Sequence, residues 1–291
     1  MLLRIVAILF PLFAITALGY VVGRRMKPDL SHANKLNMDV FVPALIFAAL
    51  AGKDVRIADY LPLLLSMLFI IVGSGLVAWL VARLAGIAPK TLVPPMMFNN
   101  VDNLGLPLAL LAFGQEALAA AAVMLTVTNV MHFSFGAWLL DHHTRLATVW
   151  RSPLILAAAA GIATGLADVE VWPPLLTAIR MVGEMSIPLM LFALGARIAT
   201  TRIAALGFGL FGAVLRPVTG MLLAGLVLMV VDLPPREQAL LLVFGALPPA
   251  VLNYMFAERY KQEPDKVASM VLLGNIAALV FLPIALALSL G

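Results

Sequence analysis

Long apolar stretches, each bounded by charges or by Pro and Gly clusters, recur along the chain. They predict ten membrane-spanning helices, near residues 3–23, 31–51, 60–85, 91–113, 117–140, 152–168, 172–196, 203–231, 237–257 and 266–290. A bilayer core takes about 20 apolar residues per helix, so ten helices use roughly 200 residues and leave about nine for each connection. That leaves no room for a separate soluble domain. The second stretch is the least regular: Asn34, Lys35, Asn37 and Asp39 make its first half polar, whereas Val40 to Ala51 is apolar. The first follows Arg4 in the manner of a secretion signal. It runs on to Gly19, however, and ends in Arg24-Arg25 rather than at a small-residue cleavage site, so it reads as a retained span.

Composition agrees with this pattern. The 291 residues are 63% hydrophobic and 12% charged, with a mean hydropathy of +1.05. Soluble domains run at roughly 45–50% apolar and about 25% charged, which excludes a water-soluble globule. The chain has no cysteine, which excludes disulfides and cysteine-ligated metal centres. A net charge of +4 would hint at nucleic acid in a soluble protein. Here the placement of charge matters more, and nucleic acid is not expected as a partner.

The connections after the odd-numbered spans, with their flanks, hold Arg24, Arg25, Lys27, Lys35, Arg83, Lys90, Arg145, Arg151, Arg197, Arg202, Arg259, Lys261 and Lys266, 13 of the 19 basic residues. The opposite face has only Arg4, Lys53, Arg56 and Arg236, while Arg180 and Arg216 fall within spans. By the positive-inside rule the first set is cytoplasmic. Both termini are then extracytoplasmic, the span number is even, and the second span is needed to keep the alternation. The expected location is the cell inner (plasma) membrane, with multiple passes.

The spacing hides a repeat. Pro43-Ala-Leu-Ile-Phe47-Ala48 matches Pro188-Leu-Met-Leu-Phe192-Ala193 at an offset of 145. Phe98 matches Phe244, and Ala122, Met124 and Asn129 match Ala268, Met270 and Asn275, all at 146. A near-constant register over three span pairs points to duplication of a five-helix unit, with halves 1–146 and 147–291. An odd number of helices per unit inserts the second copy upside down, an inverted-repeat plan common among secondary transporters.

Two spans are interrupted at corresponding places. The fourth contains Asn99-Asn100-Val101-Asp102-Asn103-Leu104-Gly105-Leu106-Pro107, and the ninth contains Leu247-Pro248-Pro249-Ala250-Val251-Leu252-Asn253-Tyr254. Proline removes a backbone donor and disfavours helix at the residue before it. The freed groups survive at membrane depth only against protein or a water-filled cavity. Matched breaks of this kind mark a transport site, and the half-helix that restarts after each aims N–H groups and a positive dipole end at the space between them. This favours an anion, with Asn99, Asn100, Asn103, Pro107, Pro248, Pro249 and Asn253 as substrate-site candidates.

Charged residues in the spans are costly and call for a role. Asp102, between Asn100 and Asn103, is a candidate for binding a proton or Na⁺. Asp39 is a second, although Lys35 stands one turn away and offers a structural pair. Arg180 and Glu184, four apart, can pair on one face. Arg216, beside Pro217 with no partner within a turn, is open to an acidic residue elsewhere or to a substrate carboxylate. His132 reads more readily as an interior histidine than as a proton relay. Tyr20, Trp79, Trp138, Trp172 and Tyr260 lie near span ends as interfacial anchors.

The motifs resemble those of the auxin efflux carrier family, whose members include the plant PIN-formed carriers and many bacterial proteins. Four stretches carry the likeness. They are Asn34 with Pro43 and Phe47-Ala48; Asn100 with Gly105-Leu106-Pro107; Ile187-Pro188 through Leu194-Gly195-Ala196; and Ala246-Leu247-Pro248 through Phe256-Ala257-Glu258-Arg259-Tyr260 to Pro264-Asp265. The resemblance implies an all-α polytopic protein of ten helices in two inverted repeats, with broken helices 4 and 9 crossing in mid-membrane. It also implies elevator-type movement, organic anion substrates and dimerisation. Asn100 and Pro107 fall on the helix 4 site and crossover. The sequence departs from the plant carriers at Asn253, where they have the helix 9 crossover proline, and at Asp102, where an uncharged residue is usual. This turns the expectation from auxin itself toward a bacterial carboxylate carrier.

The expected function is therefore secondary transport of a small mono- or dicarboxylate, malonate- or auxin-like, coupled to H⁺ or Na⁺ and without a cofactor. A passive anion channel is the alternative. An intramembrane enzyme would need a nucleophile–base or metal constellation, and the sequence has no HExxH, GxGD or cysteine. Gly73-Ser74-Gly75 reads as helix packing rather than as a nucleophile site.

Overall fold

A computed structural model describes residues 1–51, 57–143, 150–167 and 169–290. Lys53, Arg56, Arg145 and the boundary between the halves at 146/147 lie outside the described residues. Twelve helices carry the rest: α1 Leu2–Met26, α2 Ser31–Leu50, α3 Ala58–Ala85, α4 Pro89–Met97, α5 Val101–Phe113, α6 Gln115–Leu140, α7 Pro153–Leu166, α8 Pro173–Thr200, α9 Leu206–Leu228, α10 Pro235–Gly245, α11 Val251–Arg259 and α12 Pro264–Leu290. Among the described residues there is no strand, only one isolated bridge, Asn99 to Pro249. Seven helices (α1, α2, α3, α6, α8, α9 and α12) are each long and apolar enough to cross a membrane unaided. The expected fourth and ninth spans are each divided, into α4 with α5 and α10 with α11.

Packing sorts the helices into two groups. In one, α1 lies along α8, and α2 packs on α7 and α8. In the other, α9 lies along α12, and α3 joins α4, α6 and α9. The α1–α8 crossing depends on residues without side chains. A Cβ on Gly19 would stand 2.1 Å from the Phe192 carbonyl oxygen, and one on Gly195 would stand 1.9 Å from that of Thr16. Small residues at such crossings let backbones touch where lipid gives no hydrophobic drive to associate. Replacing Gly195 by Val should wedge the pair apart, costing about 3 kcal/mol or more, because backbone cannot yield as a side-chain tip can. Thermal unfolding of the purified protein would read this as a clear drop in midpoint, larger than that for Gly207→Val, where nothing lies within 4 Å. Gly73 and Gly75 serve packing as expected, against Leu223 of α9 and Met97 of α4.

Several helices contain a wide π-type turn: Asn37–Phe41 in α2, Val101–Gly105 opening α5, and His132–Gly136 in α6. Such turns recur at functional sites. Here the second and third flank the broken segments.

Candidate functional site

α4 ends where Phe98 turns extended, and α10 ends at Gly245, just ahead of the Pro248-Pro249 pair. The two breaks meet. The Asn100 amide donates to the Pro248 carbonyl at 2.8 Å, and the Ala250 amide donates to the Phe98 carbonyl at 2.9 Å, forming a minimal antiparallel bridge. Prolines suit this place because the bridge uses the Pro248 carbonyl and has no need of its absent N–H. Backbone groups freed from both helices thus satisfy each other, as the membrane interior requires.

Six asparagines lace the junction and its flank. Asn99 Nδ2 donates to the Phe244 carbonyl at 2.6 Å, and Asn253 Nδ2 donates to the Phe98 carbonyl at 2.8 Å. Phe98 and Phe244 are the residues the sequence offset matched, so each break supplies the asparagine that closes the other. Asn100 Nδ2 donates to Asn275 Oδ1 at 2.8 Å, while Asn100 Oδ1 accepts from the Asn103 amide and side chain at 3.3 and 3.0 Å. On the first half, Asn129 Nδ2 donates to Asp102 Oδ1 at 3.0 Å. Asn129 and Asn275, matched in the sequence only as repeat markers, are therefore bonded into the candidate site. Two polar residues at equal register in otherwise apolar spans were the signal that could have found them.

The breaks are shorter and earlier than the sequence suggested. α5 already begins at Val101, and Pro107 is a buried residue inside it, eight residues past the bridge residue Asn99. The wide turn at Val101–Gly105 explains this, since its looser bonding tolerates the donor Pro107 lacks. Both half-helices were expected to offer free amides, yet α5 does not: its Val101, Asn103, Leu104 and Gly105 amides bond to Asn99 and Asn100. The Asp102 carboxylate sits in its first turn, where the dipole favours negative charge. At α11 no side chain caps the helix start, and Val251 and Leu252 line a cavity.

That cavity, about 280 Å³, lies between the two helix groups. Asn34, Lys35, Asn37 and Arg197 come to it from α2 and α8, and Asp102, Asn103 and Asn129 come from α5 and α6. A second cavity, of about 480 Å³, lies toward the other ends of the same helices. It is lined by Tyr60, Gln115, Glu116, Arg180 and Arg236 among others. Of the sequence candidates, Asp102 and Asn103 reach the first cavity, while Asn99, Asn100, Pro248, Pro249 and Asn253 build the junction behind it. Asp39 is not brought to them; it is exposed, lines neither cavity and has no ion pair with Lys35.

Arg216 is fully buried and also apart from the cavities. Its Nη1 donates to the Gly245 carbonyl at 3.1 Å, while Nε and Nη2 have no hydrogen-bond partner among the described residues. It caps the negative end of α10 where the break begins, and it meets no acidic residue among the described ones. Arg180 and Glu184 do not pair; Glu184 accepts instead from Gln115 Nε2 at 3.1 Å. His132 stacks on Phe98 at 4.2 Å and meets Phe256 edge-on at 5.0 Å, an interior aromatic contact behind the bridge.

Two interrupted helices tied break to break, beside a cavity between two helix groups, have the architecture of a membrane transporter. The sequence profile of the family described as membrane transport protein matches residues 4–145 and 143–286, and the chain belongs to this family, that of the auxin efflux carriers. An uncharacterized transporter of Methanothermobacter thermautotrophicus is 27% identical over 293 residues, covering 92% of each chain. Membership speaks for a multi-pass transporter rather than an enzyme.

Proposed function

We propose that this protein is a secondary active transporter of a small organic anion, a mono- or dicarboxylate, coupled to H⁺ or Na⁺. In this reading α4 with α5 and α10 with α11 are the fourth and ninth of ten spans, arranged as two inverted five-helix repeats over 1–146 and 147–291. The protein sits in the cell inner membrane as a homodimer, with both termini outside. The group holding the bridge slides past α1, α2, α7 and α8 as an elevator. The observation that carries the reading is the bridged junction backing a cavity that the two groups share. Substrate rests against Asn103 and the Val251 and Leu252 amides, and Asp102 carries the coupling cation. Asn99, Asn100, Asn253, Pro248 and Pro249 hold these groups in place, with Pro107 and Arg216 supporting the two half-helices.

Uncoupled movement of an anion favours efflux, so concentrative uptake requires the cation. With the cytoplasm negative, bringing in one anionic charge costs about 2.3 kcal/mol per 100 mV, which one co-transported cation cancels. The test is counterflow in proteoliposomes against a panel of radiolabelled carboxylates, in the presence of proton or Na⁺ gradients. Saturable counterflow of at least one carboxylate is expected. Linear, non-saturating flux without counterflow would mean a channel, and transport of neutral solutes alone would overturn the anion reading.

A further inference from the structure

The positive charges that mark one face of the protein are unevenly shared between the two helix groups. Arg24 and Arg25 end α1 and Lys27 follows them, while Arg151 stands just before α7 and Arg202 just after α8. These helix ends lie together. Gly19 and Gly23 of α1 meet Phe192 and Ala196 of α8 in parallel register. Gly161 of α7 packs on Leu50 of α2, and α7 stops soon after, at Leu166. Its contacts with Asn37–Phe41 therefore come from its start, beside Arg151. All five basic residues are exposed, and among the described residues none of them makes a hydrogen bond or an ion pair. Lys35 and Arg197 stand behind them in the wall of the 280 Å³ cavity. Acidic residues do little to offset this rim: Asp29 accepts from the Ser31 amide at 2.9 Å, and Asp39 is exposed without an ion pair among the described residues.

The other group balances its own charge. Arg83, Lys90, Arg259, Lys261 and Lys266 at its matching ends are set among Asp141, Glu258, Glu263 and Asp265. Lys266 pairs with Glu263, and Lys90 Nζ donates to the Leu140 carbonyl at 2.9 Å. Arg83 and Arg259 lie over the rings of Trp79 and Tyr260 at 5.4 and 5.6 Å. Four of these five cations are thus met within the protein, against none of the five on the first rim. The unmet ones also stand at membrane level. Tyr20, one turn before Arg24, and Trp150, next to Arg151, are both exposed, and such side chains settle at headgroup depth. Arg24 follows Tyr20 by about 6 Å along α1. A guanidinium there can hold a phosphate by two parallel bonds.

We propose that the rim of Arg24, Arg25, Lys27, Arg151 and Arg202 binds the headgroups of anionic phospholipids, and that this holds the α1–α2–α7–α8 group at a fixed depth in the membrane. Lipid phosphates supply the acceptors that the chain does not. Shifting this group along the membrane normal would strip several ionic contacts at once. The other group, with its charges met internally, loses little when it leaves headgroup level. Lipid binding goes beyond the carrier reading and stands without it, whereas the division into a held and a sliding group rests on that reading.

The experiment follows the thermal midpoint of the purified full-length protein in neutral detergent as dioleoylphosphatidylglycerol, dioleoylphosphatidylcholine or inorganic phosphate is added. Phosphatidylglycerol should stabilise the wild type at a lower concentration than phosphatidylcholine, and phosphate should not stabilise it. Each Lys or Arg near an anionic surface gains about fivefold in affinity. The triple variant Arg24→Gln, Arg25→Gln, Arg151→Gln should therefore need about tenfold more phosphatidylglycerol, or beyond. The matching variant of the other group, Arg83→Gln, Arg259→Gln, Lys261→Gln, should stay within about twofold of wild type, since one unmet cation among the three is worth little beside three. Equal stabilisation of the wild type by the two lipids would overturn the proposal, and stabilisation by phosphate as strong as by phosphatidylglycerol would replace the lipid with a free anion. Equal loss in both triple variants would overturn the assignment to one group. Should the rim variant fail to fold, the wild type remains decisive: its preference for phosphatidylglycerol should vanish in about 1 M NaCl, where charges are screened beyond about 3 Å, and persistence there would exclude an ionic site. In vesicles containing phosphatidylglycerol, carboxylate counterflow by the rim variant should be slower than by wild type, and in phosphatidylcholine vesicles the two should match. Equal rates in both would remove the holding role, whereas absence of counterflow in every form would strike the carrier reading and leave lipid binding standing.

Discussion

Asp102→Asn is expected to abolish concentrative uptake while leaving counterflow exchange intact. The substitution is nearly isosteric. Asn129 Nδ2, which donates to Asp102 Oδ1 at 3.0 Å, would find the same acceptor in the new amide, so the first turn of α5 keeps its support. Lost are the negative charge and the capacity to take up a proton or Na⁺. Exchange of one anion for another moves no net charge and needs no coupling ion, so it continues. Net uptake of a monoanion against 100 mV, interior negative, then costs about 2.3 kcal/mol. That corresponds to an internal concentration about fiftyfold below the external one at equilibrium. In proteoliposomes with an imposed potassium diffusion potential, the wild type should accumulate substrate and the variant should settle below unity. Accumulation by the variant equal to wild type would remove Asp102 from the coupling step.

Asn100→Ala should be more damaging, and in a different way. Asn100 is fully buried and its amide side chain serves three bonds: one given to Asn275 and two received from Asn103. Truncation orphans Asn275 Oδ1 and two donors of Asn103 next to the bridge. Each unsatisfied buried group costs about 1–3 kcal/mol, so a loss of about 3–5 kcal/mol is expected if part of the set finds new partners. Exchange and net uptake should both fail, and the thermal midpoint should drop. Asn275→Ala should resemble it more mildly, since it orphans the Asn100 donor and otherwise removes only the side-chain bonds given to the Val271 carbonyl at 2.7 Å and, more weakly, to the Pro249 carbonyl at 3.5 Å. A variant Asn100→Ala with wild-type exchange would show that the junction need not be rigid for transport.

Much of the architecture was legible because a bilayer makes hydropathy informative. The long helices α1, α3, α9 and α12 fall within a few residues of the apolar stretches that predicted them. The breaks were legible as polar, proline-bearing interruptions, and the 146 register pointed to the partnership of Phe98 and Phe244 that the structure realises through Asn253 and Asn99. What eluded the sequence is set by contacts between distant residues. In the sequence Pro107 reads as part of the interruption, because a proline usually ends a helix. The wide turn that absorbs it depends on Asn100 folding back to Asn103. Arg216 lacked any neighbour in sequence, and its acceptor, the Gly245 carbonyl, is brought by another helix. In the sequence Arg197 reads as one of the cytoplasmic positive charges, because it follows an apolar stretch. Only the cavity it lines together with residues of α2, α5 and α11 reveals that it faces inward.

The reciprocal bonds at the junction make the two halves of this chain mutually dependent. The Phe98 carbonyl in one finds its asparagine in the other, and the reverse holds for Phe244. A gene split between the halves would yield fragments that each enter the bilayer with exposed, unmet polar backbone, ready targets for quality-control proteolysis. Made together in one cell, the same fragments have what each lacks. Fission of the reading frame is thus tolerable only as a pair.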